Sequence, residues 1–95
     1  MRNQRTPQLI ARMVEEQAME WIPVKSKMLA AVAYNRDWHL LYLDFRNGEV
    51  YCYRGVPVQL FEELLVADSK GQYCRSQVFP RFPYDRIPRT LRTAS

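Results

Sequence analysis

The spacing of apolar residues along the chain predicts two amphipathic helices. The first covers residues 7–20, and Pro23 cannot continue it because proline lacks the backbone N–H. The second covers residues 57–67, with Pro57 as its first helical residue. Within each segment apolar side chains recur every three or four positions, which places them on one side of a helix. These positions are Leu9, Ile10, Met13, Val14 and Ala18 in the first helix and Leu60, Phe61, Leu64 and Leu65 in the second.

Between the two helices, short apolar or alternating runs predict three antiparallel strands, over residues 28–34, 39–45 and 49–53. Asn47 and Gly48 separate the last two runs, and both tolerate the positive φ of a two-residue type I′ turn. The sequence therefore predicts a β-meander whose second half is a tight hairpin.

A two-residue turn at this point determines which side chains share a face of the hairpin. It pairs Phe45 with Val50, and side chains alternate between faces along each strand. We expect the apolar face to lie under the second helix and the other face to combine aromatic and polar groups. The apolar face carries Leu41, Leu43, Phe45, Val50 and Cys52, and the other carries Tyr42, Asp44, Arg46, Glu49, Tyr51 and Tyr53.

We expect the second helix to end with Gly71 in a left-handed conformation. Residues 72–79 are then expected to form a short helix or turn. Prolines then predict an extended arm over residues 80–95. The fold class is α+β: a three-stranded antiparallel meander with a packed C-terminal helix, preceded by the N-terminal amphipathic helix. We divide the chain into a helical extension (1–18), a domain (19–84) and a basic, flexible tail (85–95).

Composition agrees with one small soluble domain, since 47% of the 95 residues are apolar and 25% are charged. No apolar run approaches the roughly 20 residues of a transmembrane helix, and no secretory signal is recognisable, so we expect a cytoplasmic protein without membrane contact. Cys52 and Cys74 are expected to be reduced, and with His39 they offer too few ligands for a zinc site. We expect no catalytic residues, cofactor, metal or small-molecule substrate.

Several short motifs, in their order and spacing, resemble the KTSC domain family between Met19 and about Tyr84. The resemblance implies a small α+β domain of a kind found in short bacterial and phage proteins and at the C-terminus of some lysyl-tRNA synthetases. It implies no chemistry, because the family's function is unknown and RNA binding is only suggested. After Tyr73 the family tends to have an apolar residue and then asparagine, where this chain has Cys74 and Arg75. The matching motifs are Pro23-Val24-Lys25-Ser26, Met28-Leu29, Ala33-Tyr34-Asn35, Leu41 to Phe45, Asn47-Gly48, Tyr51 and Tyr53, Gly55-Val56-Pro57, Phe61 with Leu64-Leu65, Ala67, Ser69-Lys70-Gly71, Tyr73, Val78 and Phe82-Pro83-Tyr84.

Positive charge is concentrated near the C-terminus. The net charge is +4, and residues 75–95 carry five arginines against one acidic residue. Such a segment attracts nucleic acid through counterion release, or it remains solvated and keeps a small protein soluble. Both interpretations stay open at this point.

Seven residues are candidates for nucleic-acid binding. Aromatic side chains on a sheet surface stack unpaired bases, while arginine, lysine and turn N–H groups contact phosphates. Each candidate also has a structural explanation: cross-strand packing for the tyrosines, a solvated side chain beside a helix cap for the lysine, and solvation for the arginines. The candidates are Tyr42, Tyr51, Tyr53, Arg54, Lys70, Arg75 and Arg81.

The leading hypothesis is a non-enzymatic module that binds RNA or single-stranded DNA. The alternative is a protein-interaction or self-association module, including a homodimer. It would use the helix over residues 7–20, through Leu9 and Met13, or an edge strand of the sheet.

Overall fold

The computed structural model describes residues 19–88, which form one antiparallel five-stranded sheet and two helices. The α+β class is confirmed, but the sheet has two strands more than the predicted meander. The helix predicted over residues 7–20 lies outside the described residues except for Met19 and Glu20, which are not helical. In chain order the elements are β1 (Ile22–Pro23), β2 (Leu29–Asn35), β3 (Leu40–Phe45), β4 (Val50–Arg54), α1 (Val58–Val66), α2 (Lys70–Gln77) and β5 (Tyr84–Ile87).

The sheet has the strand order β1-β2-β3-β4-β5, so the three predicted strands form its centre. Residues 85–87, which the sequence assigned to a flexible tail, belong to β5 and pair with β4. The prolines predicted an extended backbone here, but Pro83 and Pro88 lie just outside the strand, so β5 keeps its N–H groups for pairing.

Both edges of the sheet have features that oppose pairing with another chain. The edge strand β1 has two residues, one of which is Pro23. The other edge strand, β5, exposes Asp85 and Arg86. Short strands, proline and charge are common protections of sheet edges. Self-association through an edge strand therefore stays a prediction without support from the described part of the chain.

The hairpin turn lies where predicted, but it has a different length. Its loop spans residues 46–48: the Phe45 N–H donates to the Glu49 carbonyl (2.8 Å) and the Gly48 N–H donates to the Phe45 carbonyl (2.9 Å). Gly48 has a φ of 96°, and the Asn47 side chain accepts from the Glu49 N–H (2.9 Å). This is a three-residue loop with a left-handed glycine, and the predicted two-residue turn is wrong.

The extra loop residue shifts the strand register by one position. Asp44 rather than Phe45 pairs with Val50, and Leu43 pairs with Tyr51. Because side chains alternate, this shift moves every β4 side chain to the opposite face relative to β3. The predicted face with three tyrosines is therefore wrong. One face carries Leu41, Leu43, Tyr51 and Tyr53, and the other carries Tyr42, Asp44, Val50 and Cys52.

Helix α1 agrees with the predicted second helix to within one residue at each end. It buries Phe61 and Leu64 in the main core, and Tyr34 of β2 stacks on Phe61 with ring centroids 5.0 Å apart. The Tyr34 hydroxyl also donates to the Val56 carbonyl, which holds the segment before α1 against β2. The buried members of this core are Leu29, Val32, Leu41, Leu43, Tyr53, Val56, Phe61, Leu64, Cys74 and Val78.

Helix α2 begins before the predicted short helix, and Gly71 lies inside it rather than in a left-handed cap. The glycine is buried against Met28, since a Cβ atom at this position would lie 3.4 Å from the Met28 Cε. This close approach places the start of α2 beside the loop between β1 and β2. Neither α1 nor α2 is long and apolar enough to cross a membrane.

Candidate functional site

A cleft of about 560 Å³ lies between the β1–β2 loop and the start of α2. We call it the basic cleft, because four cationic side chains and one carboxylate line it. Loop and helix each supply two of the cations. The charged lining residues are Lys25, Lys27, Lys70, Arg75 and Asp68.

Ser26 determines the shape of the loop side of the cleft. Its Oγ accepts hydrogen bonds from the N–H groups of Met28 and Leu29, each at 3.1 Å. Its carbonyl accepts from the Arg46 Nε at 2.6 Å, which ties the loop to the hairpin. Lys25 and Lys27 flank this serine and are both exposed. The loop therefore presents two lysines from a backbone that is held at its centre.

On the helix side, Lys70 and Arg75 occupy the first and second turns of α2. The Lys70 Nζ donates to the Ala67 carbonyl (2.8 Å), which satisfies a backbone group at the end of α1. The sequence predicted a solvated lysine beside a glycine cap, whereas in the structure the lysine side chain itself caps the end of α1 with one of its three ammonium donors. Arg75 is exposed and lines the cleft one turn further along.

Ser69 is the N-cap of α2, and its Oγ accepts from the Gln72 N–H at 3.3 Å. We expect Ser69→Ala to lower the free energy of unfolding by about 1 kcal/mol, the usual cost of losing an N-cap. Ser76→Ala on the exposed side of the same helix is the matched control, and alanine suits a helix interior. Urea denaturation measures both, and equal midpoints for the two variants would contradict the capping role.

Three of the four cations in the basic cleft have no ion-pair or hydrogen-bond partner among the described residues. Within residues 19–88, no ion pair or hydrogen bond involves the side chains of Lys25, Lys27 or Arg75. Most described arginines outside the cleft do have partners: Arg54 pairs with Asp85 at 3.0 Å, Arg86 pairs with Glu49, and Arg81 donates to the Gln77 side chain. The fold therefore collects uncompensated positive charge in one concave place.

A second feature lies near the other end of α2, where five aromatic side chains are in contact. We call these residues the aromatic cluster. Tyr51 stacks on Tyr84 (centroids 4.9 Å apart, planes at 21°), and Tyr53 stacks on Phe79 (5.7 Å, 23°). Tyr53 also lies 5.4 Å from Tyr84. The cluster comprises Phe45, Tyr51, Tyr53, Phe79 and Tyr84.

The residues of this cluster differ in the fraction of their surface that is exposed to solvent. Tyr53 is 4% exposed, and burial raises the pKa of its hydroxyl. Tyr84 is 53% exposed. The cluster thus runs from the core to the surface at β5, and Tyr84 is its most accessible ring.

The remaining predicted site residues lie apart from these two features. Tyr42 is 3% exposed on the other sheet face, where its ring lies 6.3 Å from Trp21 and burial raises its pKa. Arg54 points to that same face and pairs with Asp85. Arg81 is exposed, with its guanidinium 5.5 Å above the Phe82 ring.

The structure thus brings together Lys70 with Arg75, and Tyr51 with Tyr53. Sequence reasoning missed Lys25 and Lys27 as site residues, and it placed Tyr84 among the arginines of the C-terminal arm without choosing it as a candidate. Lys25 belongs to the first motif of the family resemblance, Pro23-Val24-Lys25-Ser26, and this motif could have indicated it as a site residue. Tyr84 was assigned to the arm, and nothing in its local sequence indicates its pairing with Tyr53.

Both cysteines are free and buried. Burial raises the pKa of the Cys52 thiol to about 11 and that of the Cys74 thiol to about 12. Neither is therefore a thiolate near neutral pH, which a nucleophilic cysteine would need to be.

Comparison with known proteins places this arrangement in a family. The family model described as KTSC domain matches residues 25–82, which include both walls of the basic cleft. A protein of Tsukamurella paurometabola is 38% identical over 60 residues, which cover 63% of this chain and 90% of that protein. The crystal structure of a KTSC domain protein from Yersinia pestis superposes with a TM-score of 0.72 at 30% identity, covering 75% of this chain and 100% of that one.

One similar protein is much longer than this chain. A lysine–tRNA ligase of Nostoc sp. is 33% identical over 63 residues, which cover 66% of this chain but only 11% of the ligase. The similarity therefore concerns a small segment of that enzyme.

Proposed function

The chain belongs to the KTSC domain family, and from this premise we propose that it is a non-enzymatic module that binds single-stranded RNA by its phosphate backbone in the basic cleft. The cleft is open to solvent and large enough for phosphate groups. Its lysines and arginine are the side chains that contact nucleic-acid backbones most often.

The observation that carries this proposal is the unpaired charge of the cleft. Lys25, Lys27 and Arg75 have no carboxylate partner among the described residues. A cation that already has a partner gains little from a phosphate, whereas unpaired cations exchange condensed counterions of the nucleic acid for direct contacts. Gathering them in one cleft gives a polyanion several contacts at once.

The choice of RNA is supported by relatives. The lysine–tRNA ligase that contains a similar segment is, by its name, an enzyme that acts on a tRNA. A small appended domain with a cationic cleft suits an RNA-contacting role in such an enzyme. In this chain Arg75 places a cation in the cleft at a position where the family resemblance leads us to expect asparagine.

The test is a titration of a fluorescent single-stranded RNA at several salt concentrations. We expect the double variant Lys25→Gln, Arg75→Gln, with one change on each wall, to bind more weakly. The slope of log affinity against log salt should be less steep by about 1.4, because each single-strand phosphate contact contributes about 0.7.

The matched control is the double variant Arg36→Gln, Arg54→Gln, which removes the same charge from surfaces away from the cleft. It should keep the slope of the unmodified protein. Equal losses in the two variants would show that affinity follows net charge alone, and absence of binding at low salt would overturn the proposal. Thermal unfolding of each variant confirms that it is folded.

A further inference from the structure

Resting on the proposed function, we infer that Tyr84 is a base-stacking subsite for the same strand, so that the ligand is an unpaired nucleic acid rather than a duplex or a phosphate polymer. The subsite comprises the exposed ring of Tyr84 and the Tyr51 ring beneath it.

Tyr84 lies at the end of a stack. One face of its ring packs on Tyr51 with centroids 4.9 Å apart and planes at 21°. The residue is nonetheless 53% exposed, so part of its side chain stays accessible to a ligand. A nucleobase is a flat ring that extends such a stack in the same way, and every base offers a suitable face.

The ring is held in place before any ligand arrives. Tyr84 pairs with Tyr53 across β4 and β5, and the Tyr53 ring is itself packed between Tyr84 (5.4 Å) and Phe79 (5.7 Å). Tyr53 belongs to the main core and is 4% exposed. A base that stacks on Tyr84 therefore loses little affinity to ordering the protein, because the platform is already rigid.

The end of α2 and the turn after it connect this subsite with the basic cleft. Arg75 of the cleft lies in α2, and Phe79 of the aromatic cluster follows four residues later, two residues beyond the end of the helix. From Phe79, ring-to-ring contacts through Tyr53 reach Tyr84. A strand of a few nucleotides with a phosphate at Arg75 is therefore long enough to place a base on Tyr84.

This arrangement favours single-stranded nucleic acid over a duplex or a phosphate polymer. In a duplex both faces of each internal base are covered by neighbouring pairs, so no base face is available to Tyr84. A phosphate polymer has no bases and gains only the cleft contacts. Single strands alone engage both features.

The experiment compares a single-stranded RNA with the same strand made abasic, in fluorescence anisotropy titrations. For the unmodified protein the abasic strand should bind about 5- to 150-fold more weakly, which corresponds to one stacked base at roughly 1–3 kcal/mol. Tyr84→Ser should weaken binding of the intact strand by a similar factor and leave binding of the abasic strand unchanged. Tyr84→Phe should retain the affinity.

The matched control is Trp38→Ser, because Trp38 is another aromatic residue with nearly the same exposure, 51%, but lies on the turn between β2 and β3. It should not alter binding of either strand.

The results distinguish a failure of the stacking subsite at Tyr84 from a failure of RNA binding in the basic cleft. Equal affinity of intact and abasic strands for the unmodified protein, or an equal effect of Tyr84→Ser on both, overturns the stacking subsite. In that case the basic cleft stands if Lys25→Gln, Arg75→Gln still weakens both strands. If no strand binds at low salt, both proposals fall and a protein partner for Tyr84 becomes the better explanation.

Discussion

Replacing Leu64 with alanine lowers the free energy of unfolding by about 2–5 kcal/mol, the usual range for a buried leucine. Leu64 has no exposed surface and lies in the main core, where α1 covers the sheet. Removing its isobutyl group loses buried apolar area and leaves a cavity that close-packed neighbours fill only in part. A domain of this size has about 5–15 kcal/mol of stability in total, so the variant is close to unfolding.

The control for this prediction is on the same helix. Val66 is 80% exposed, so Val66→Ala should change the free energy of unfolding by no more than about 0.5 kcal/mol. Urea denaturation of both variants gives the comparison, with the slope of free energy against urea as a check on two-state behaviour. Similar midpoints for Leu64→Ala and Val66→Ala would show that α1 does not anchor the core.

The free energy of unfolding is expected to fall as pH rises above about 9, and the two buried cysteines are a principal cause. Burial raises the pKa of Cys52 to about 11 and that of Cys74 to about 12, from an unfolded value of 9.0. Below pH 9 both thiols are protonated in both states, so they add no pH dependence. Between pH 9 and 11 the unfolded chain releases protons that the folded protein retains, which favours unfolding.

The size of this effect follows from linkage. Each thiol contributes a loss of about 1.4 kcal/mol per pH unit over its own window, so the two together remove about 5 kcal/mol by pH 11. Cys74→Ala, measured alongside the unmodified protein by urea denaturation from pH 8 to 11, should show a shallower decline. Parallel declines would contradict the assignment to this thiol. An independent check is the rate at which the two thiols react with a disulfide reagent, which should be much lower in the native protein than in the denatured protein.

The positions of the strands and helices were largely predictable because they depend on local pattern. An apolar stripe at helical spacing predicted α1 almost to its ends, and the runs around Asn47 and Gly48 predicted β3 and β4. Each of these signals lies within a dozen consecutive residues. Local backbone preferences and the need to bury one side of an element are therefore sufficient to produce it.

The register in which β3 pairs with β4 could not be predicted from local pattern in this way. Asparagine followed by glycine suits both a two-residue loop and the observed three-residue loop, in which only Gly48 has positive φ. The alternating pattern of β4 did not decide between them, since Val50 and Cys52 are apolar and Tyr51 and Tyr53 are largely apolar. Either pair of side chains, Val50 with Cys52 or Tyr51 with Tyr53, can be buried against the core.

For the candidate site, sequence reasoning identified Lys70 and Arg75 but not the lysines opposite them. Lys25 lies 45 positions before Lys70, and only the packing of Gly71 on Met28 brings the two walls of the cleft together. Tyr84 reaches Tyr51 and Tyr53 only because β5 pairs with β4. Such contacts join distant segments, and no local pattern encodes them.

By itself, then, the amino-acid sequence determined the α+β class, the family resemblance, the central strands and the helix that covers them. These depend on neighbours along the chain. Tertiary structure alone decided the hairpin register, the fifth strand, the unpaired charge of the basic cleft and the exposed end of the aromatic stack. The physical reason is that these features follow from which segments lie side by side, and that choice is made by the free energy of the whole packed domain.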